Sequence, residues 1–329
     1  MECSVLTVEN GTFKVVDLLP YKSIVWVTEY LEHGGLQAVF ARSDYVLNAV
    51  KAGRYAVLDD DTTIMYIHTV KITPSEVWAY GYEAKYLFDR CAVAGRTFAT
   101  FGDTEIGQAI SDQITSYCEY SWLGTITVPE LGNGNLDSLD YVSLWDFVAC
   151  SCEIKNAGFK VVYNSTTKKG DVVVYQGQNH STTAIFSVGL GNFNGATVTD
   201  SDADYINTVY VIGENNVVVV AQRTGFTGEI YSDVLDLRDE DPKPDEMTDA
   251  EYEAALEERG NMMLTERIKT RKIELQELDS YNYGITYSMG DIVTIYDPIA
   301  GGTVQRRVVA VQRVIEGNVD KIKITLDEV

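Results

Sequence analysis

Over residues 5–72 apolar and polar positions alternate in short runs separated by Gly and Asp turns, a pattern that predicts a β meander. Ile24 to Thr28, Leu36 to Phe40, Arg54 to Leu58 and Thr63 to Ile72 are its strands. Gly34-Gly35 and Asp59-Asp60-Asp61 are its turns, and Ser43 to Val50 is a short helix or a loop. Strands this short indicate a small barrel or sandwich. The period changes within Glu76 to Arg90. Val77 to Tyr80 is β-branched and aromatic, whereas beyond Gly81 the apolar residues Ala84, Leu87, Phe88 and Cys91 fall at helical spacing. A strand is expected to run through a glycine hinge into a short amphipathic helix ending near Arg90. This stretch reads as the seam between a β domain and an α/β insertion.

The insertion is expected to begin near Thr97. Ile106, Ile110, Ile114 and Cys118 recur at helical spacing, with Asp103 or Thr104 placed to cap the helix start. Ser143, with Asp146 in a capping-box position, predicts a second helix through Asn156 that stops at Gly158. Phe159 to Tyr163 and Asp171 to Tyr175 form a hairpin over Lys168-Lys169-Gly170. After a polar stretch, Thr208 to Ile212 and Val217 to Gln222 read as two strands. Residues 239–258 hold ten Asp/Glu against one Lys. Within them Thr248 and Glu251 make a capping box opening a helix through Ala254 and Leu256, and a further helix is predicted from Met262 to about Gln276. This region is either a solvated surface element or a helix that docks a partner. Asp291 to Tyr296, Val304 to Val314 and Lys321 to Leu326 return to the strand pattern and are expected to close a barrel begun near Thr208.

With 329 residues, 45% hydrophobic and 23% charged, the chain can bury sizeable cores and form two or more domains. The N-terminus predicts no signal peptide, and no apolar run reaches the ~18 residues that cross a bilayer. Five scattered cysteines suit buried thiols made in a reducing compartment. The net charge of −23 argues against a nucleic-acid-binding surface, because such binding neutralises phosphates. It is compatible with simple solubility, or with a protein past which nucleic acid slides without sticking.

Candidate chemistry is sparse. His33, His68 and His180 lack catalytic company, and His180-Ser181 has no glycine-flanked serine elbow. Cys150 and Cys152 lie on different faces of a predicted helix, and no Cys/His set has zinc spacing. The 59–61 and 200–204 acidic runs depart from the calcium-loop pattern and read as solvated turns. No carboxylate pair is singled out for glycosidase chemistry. Catalytic, cofactor-binding and metal sites are therefore all expected to be absent.

The order of these pieces carries a resemblance. A β-rich start, a strand ending in a glycine, a helix closing on Leu-Phe-Asp-Arg and, far downstream, Tyr-Ser-Met-Gly-Asp-Ile-Val-Thr-Ile at 287–295 together resemble the tail-hub, or baseplate hub, proteins of long-tailed siphovirus-type bacteriophages and prophages. The resemblance covers most of the chain. It implies an α+β, mainly β fold of two small tail-tube-like barrels with α/β insertions. The division it gives is a first barrel at 1–90, an α+β insertion at 91–175, the start of a second barrel at 176–236, an acidic linker and helical excursion at 237–280, and closing strands at 281–329. No wall-degrading domain is expected after Val329.

What the resemblance implies about function is assembly. Three copies would form a ring joining the sixfold tail tube to the tip, with DNA passing through its lumen. Implied partners are further copies, distal-tail and tail-tube proteins, and tip, spike or receptor-binding proteins. Assembly would occur in the bacterial cytoplasm, and the final location would be the virion tail tip. Gly81, Arg90, Gly290 and Asp291 take structural roles: Arg90 a salt bridge or helix-end contact, Gly290 a positive φ. Thr248, Glu251 and Leu256 mark the candidate partner-docking helix. A tail-associated wall hydrolase and a receptor- or carbohydrate-binding tail protein are the alternatives.

Overall fold

A computed structural model of the chain describes residues 3–92, 104–134, 143–225, 228–238, 243–244, 247–277, 283–317 and 319–328. Two compact units emerge: Met1–Thr197 with Ile273–Val329, and Val198–Lys272. The larger opens with strands β1 (Cys3–Glu9), β2 (Thr12–Leu19), β3 (Tyr21–Glu29) and β4 (Gly35–Ala41), then helix α1 (Asp44–Ala52). Next come β5 (Tyr55–Leu58), β6 (Asp61–Ile72), β7 (Glu76–Glu83) and a 3₁₀ helix over Ala84–Arg90. There follow β8 (Thr104–Glu105), α2 (Ile106–Tyr117), β9 (Leu123–Thr127), β10 (Asn133–Gly134), α3 (Leu144–Ile154), β11 (Ala157–Asn164) and β12 (Lys169–Gln176). The chain leaves this unit through β13 (Ile185–Ser187) and β14 (Phe193–Ser201). The smaller unit holds β15 (Thr208–Ile212), β16 (Val218–Gln222), β17 (Ser232–Asp236) and α4 (Asp249–Glu266). The return is made by β18 (Thr270–Glu277), β19 (Ile292–Asp297), β20 (Gly302–Glu316) and β21 (Val319–Asp327).

The fold is mainly β, as expected. In the larger unit β18, β21, β20, β3, β4, β7, β6, β11, β12 and β9 are neighbours in that order. β20 lies between β21 and β3, with Arg313 opposite Trp26 and Ile315 opposite Ile24. Its first residues, Gly302–Arg307, pair with β19. β15 likewise has both edges filled, by antiparallel β16 and parallel β17. β19 in turn pairs with β13, Ile185 opposite Thr294, so the C-terminal strands join the segment that follows the insertion, while β15, β16 and β17 form a separate sheet. Through β20 and β3 the C-terminal strands also join the sheet that begins the chain.

Two cores stand out among the described residues of the larger unit. One joins Ile24, Trp26, Phe40 and Val50 to Ile315, and is enclosed by N-terminal strands, α1 and β20. The other joins Phe88, Ile110, Trp122, Phe147 and Phe159, and packs the 3₁₀ helix, α2 and α3 onto the β11–β12 hairpin.

Several helix boundaries shift for local reasons. α2 is capped by Glu105, whose carboxylate accepts from Gln108 N; Thr104 lies in β8, and Asp103 and Thr97 fall outside the described residues. Ser143 and Asp146 form the expected capping box of α3. That helix ends at Ile154, with Asn156 at φ 49°, while Gly158 belongs to β11. The helix expected over 262–276 is instead the end of one helix, 249–266, followed by strand β18. Ile273 and Leu275 are buried at strand spacing and pair opposite Leu326 and Ile324.

In the smaller unit Tyr252, Leu256 and Leu264 of α4 pack against Val209, Val211 and Ala221 of the three-stranded sheet. Leu256, 1% exposed, anchors that face. Leu256→Ala is expected to cost about 2–5 kcal/mol, the range for emptying a buried leucine site. Hydrogen exchange should then accelerate across 198–272, with the first core of the larger unit unchanged; unaltered exchange in β15 and β16 would count against this account of the unit.

Candidate functional site

The seam expected around Glu76–Arg90 is where the larger unit is tied together. Gly81 is not a hinge, because β7 continues through it to Glu83. It faces Ile67 where the β6–β7 register shifts, and a Cβ there would meet Tyr66 O at 2.5 Å. Close strand approach, rather than a bend, requires glycine at this position.

Just beyond lies a buried ion pair. The side chains of Glu83 and Lys85 are 2% and 0% exposed, with Lys85 Nζ 3.4 Å from Glu83 Oε2. Glu83 Oε2 also accepts from the backbone N–H groups of Gly34 at 2.7 Å and Glu29 at 3.2 Å. Lys85 Nζ donates to Glu29 O at 2.6 Å and Phe159 O at 3.2 Å, and lies over the Phe159 ring. Burial pushes the Glu83 carboxyl up and the Lys85 ammonium down, each opposed by the other's charge. The pair joins the end of β3, the turn before β4, the 3₁₀ helix and the insertion hairpin.

Arg90 ends the 3₁₀ helix between two rings. Its guanidinium stands 5.5 Å from the Tyr66 ring centroid and 5.4 Å from that of Tyr86. This aromatic seat is a contact at the end of the helix. The same array holds two of the histidines: His33 contacts Tyr82, Tyr86 and Trp145, and His68 stacks on Tyr82. Burial, with Arg90 nearby, lowers the His68 pKa.

The Gly290–Asp291 turn forms a second joint. Gly290 has φ +88°, and a Cβ on it would come within 2.3 Å of the Tyr30 ring. Gly158 faces the same ring from the insertion, where a Cβ would meet it at 2.2 Å. Tyr30 donates its hydroxyl to Asn156 O at 2.7 Å, and Arg307 lies over its ring while donating to Gly290 O. Asp291 accepts from Gln178 N and Ser288 N, each at 2.7 Å. His180 Nε2 lies 3.7 Å from the Asp291 carboxylate, so it is turned to this turn and not to Ser181.

Between these joints is a cleft of about 760 Å³ in the larger unit, whose lining includes Asp60, Asp61, Lys160, His180, Asp291 and Arg313. Its carboxylates are engaged. Arg313 grips Asp60 with both amino groups, at 3.2 and 2.8 Å, and also bonds Asp320. Trp26 Nε1 donates to Asp61 at 3.0 Å. The turn at 59–61, expected to be solvated, is thus clamped to the C-terminal strands. Among the described residues no group of three or more His, Cys, Asp or Glu is placed to hold a metal ion. No helix among them is long and apolar enough to cross a membrane.

The remaining sequence candidates lie in the smaller unit. Thr248 and Glu251 form the capping box of α4. Leu256 is buried against its own sheet, so the apolar side of this helix is not free to dock a partner. The Glu83–Lys85 pair, Tyr30 and Arg313 match no sequence motif. Their one signal was charge set inside apolar strand-like runs, in Tyr-Glu-Ala-Lys-Tyr and Val-Gln-Arg-Val-Ile.

A family model described as Siphovirus ReqiPepy6 Gp37-like protein matches residues 108–326. No curated protein matches the sequence. Among solved structures, the tail protein from Neisseria meningitidis MC58 is similar at TM-score 0.56 and 12% identity, covering 100% of this chain and 97% of that one. The 43 kDa tail protein of prophage MuSo2 from Shewanella oneidensis is similar at TM-score 0.55 and 11% identity, covering 99% and 97%. Prophage tail protein gp18 from Listeria monocytogenes EGD-e is similar at TM-score 0.51 and 11% identity, covering 99% and 94%. At these identities the likeness is one of fold.

Lys85→Met leaves Glu83 buried without its counter-charge and is expected to cost about 3–5 kcal/mol in urea unfolding. Adding Glu83→Gln, which keeps an acceptor for Gly34 N, should recover part of that loss. A Lys85→Met variant as stable as the parent would remove the pair from its structural role.

Proposed function

Because this chain belongs to the Siphovirus ReqiPepy6 Gp37-like protein family and has the fold of prophage tail proteins, we propose that it is a structural hub of the phage tail tip. The observation that carries the reading is coverage: the fold likeness runs over 99–100% of this chain and 94–97% of each tail protein. The geometry of the larger unit supports it. Its buried charges and glycine joints fix elements against one another, as a load-transmitting ring component requires.

In this reading three copies form a ring between the sixfold tail tube and the tip, placed in the virion at the tail's distal end after assembly in the bacterial cytoplasm. Its partners are tail-tube and distal-tail proteins on one side and tip, spike or receptor-binding proteins on the other. The net charge of −23 lets DNA pass without adhering, since carboxylates repel phosphates. The protein works by shape and electrostatics, without turnover.

Light scattering after size exclusion tests the stoichiometry. The smallest assembly that persists on dilution is expected near 110 kDa, three times the 36.5 kDa chain. A monomer at every concentration, together with loss of turbidity from cell-wall substrate, would overturn the structural reading in favour of a hydrolase.

A further inference from the structure

Two of the five cysteines meet where the 3₁₀ helix and α2 end. Cys91 caps the 3₁₀ helix, its N–H donating to Phe88 O at 3.0 Å. Cys118 caps α2, its N–H donating to Ile114 O at 3.0 Å. Both belong to the core that packs the 3₁₀ helix, α2 and α3, and each is 8% exposed. Cys91 Sγ lies 3.6 Å from Leu87 O, and the Tyr120 hydroxyl donates to the same carbonyl at 3.3 Å. The segment leaving α2 is thereby folded back onto the end of the 3₁₀ helix. There the Cys91 and Cys118 thiols hydrogen-bond to each other.

These thiols differ from other buried ones in the chain. Burial pushes Cys3 and Cys152 up to about 12, which keeps them protonated and inert. At Cys118 the bond from Cys91 outweighs burial and holds the thiol below its ordinary value. Cys91, the donor of that bond, is raised. One sulfur is thus prepared to ionise while its neighbour keeps a proton, the asymmetry of an attacking and a resolving thiol. A cleft of about 410 Å³ lies beside them, lined by Cys91, Arg90 and both chain neighbours of Cys118, Tyr117 and Glu119. It has room for a small oxidant.

We propose that Cys91 and Cys118 are a redox pair, closed to a disulfide by hydrogen peroxide, that fastens the 3₁₀ helix to α2. The Cys118 thiolate attacks one peroxide oxygen; an S–O bond forms, the O–O bond breaks, and the other oxygen takes a proton and leaves as water. Cys91 Sγ then attacks the Cys118 sulfur. The S–S bond forms, the S–O bond breaks, and the second oxygen leaves as water with the Cys91 proton. The two sulfurs give up two electrons, and the peroxide takes both. A reducing compartment keeps the pair open, and an oxidising one closes it. This chemistry is independent of the threefold ring.

The test treats the full chain with hydrogen peroxide, alkylates the remaining thiols after unfolding and maps the peptides by mass. Cys150→Ser serves as the parent, because Cys150 is the half-buried thiol through which copies could cross-link. One linked species holding Cys91 and Cys118 is expected, lighter by two hydrogens and split by dithiothreitol, with Cys3 and Cys152 alkylated. Adding Cys91→Ser should abolish the link and leave Cys118 as a sulfenic acid that dimedone traps. A parent whose Cys91 and Cys118 remain alkylatable, or whose Cys118 oxidises without joining Cys91, would overturn the inference. Should the Cys91→Ser variant fail to fold, the peptide map of the parent alone decides.

Discussion

A lysine ammonium with no solvent contact is the constraint on which the larger unit depends. Moving such an ion out of water costs several kcal/mol unless its protons and its counter-charge are satisfied with good geometry. Lys85 has three donors, and they find Glu29 O, Phe159 O and the Glu83 carboxylate. Glu83 in turn collects the N–H groups of Gly34 and Glu29. Both backbone groups of Glu29 are therefore held by one pair. If β3, the insertion hairpin or the 3₁₀ helix moved, a buried charge would lose a partner. Shape and charge demand the same arrangement.

Tyr30, the next residue, extends this control to the C-terminal region. Its ring fills space that Gly158 and Gly290 leave by having no Cβ, and its hydroxyl reaches Asn156 O. Glu29 also pairs opposite Ala310 of β20. Two consecutive residues at the end of β3 thus hold the insertion, the 290 turn and the C-terminal strands to the N-terminal sheet. Arg313 repeats the arrangement on the same pair of strands, opposite Trp26 and clamped onto the 59–61 turn. The long-range order of this unit is enforced at a few polar joints, while the aromatic and aliphatic cores fill the space between them.

This division explains what could be read from the sequence. Helix starts and strand bodies follow from spacing and capping within a few residues, so α2, α3, the β11–β12 hairpin and the N-terminal strands were legible. Strand partners were not. Nothing local in Val304–Val314 says that it will pair with residues 23–29, and loop-closure entropy barely distinguishes one distant partner from another. The stretch 270–277 falls in the helix predicted from Met262 to about Gln276, whereas its buried pair Ile273 and Leu275 follows the period of a strand. Gly290 was legible as a positive-φ position, because Gly-Asp before a strand is a turn signal. The Glu83–Lys85 pair was not, since charged side chains are placed outside by default and only the fold reveals the cost of burying them.

The same default bears on the charge of the whole chain. A net −23 invites a reading in terms of field alone, with acids spread to repel phosphate. Yet Glu83, Glu105, Asp60, Asp61 and Asp291 each hold named backbone or side-chain donors, so part of the acidity is structural. What remains sets a long-range repulsion between copies, screened beyond about 8–10 Å at physiological salt. Copies of such a chain associate where short-range contacts outweigh that repulsion.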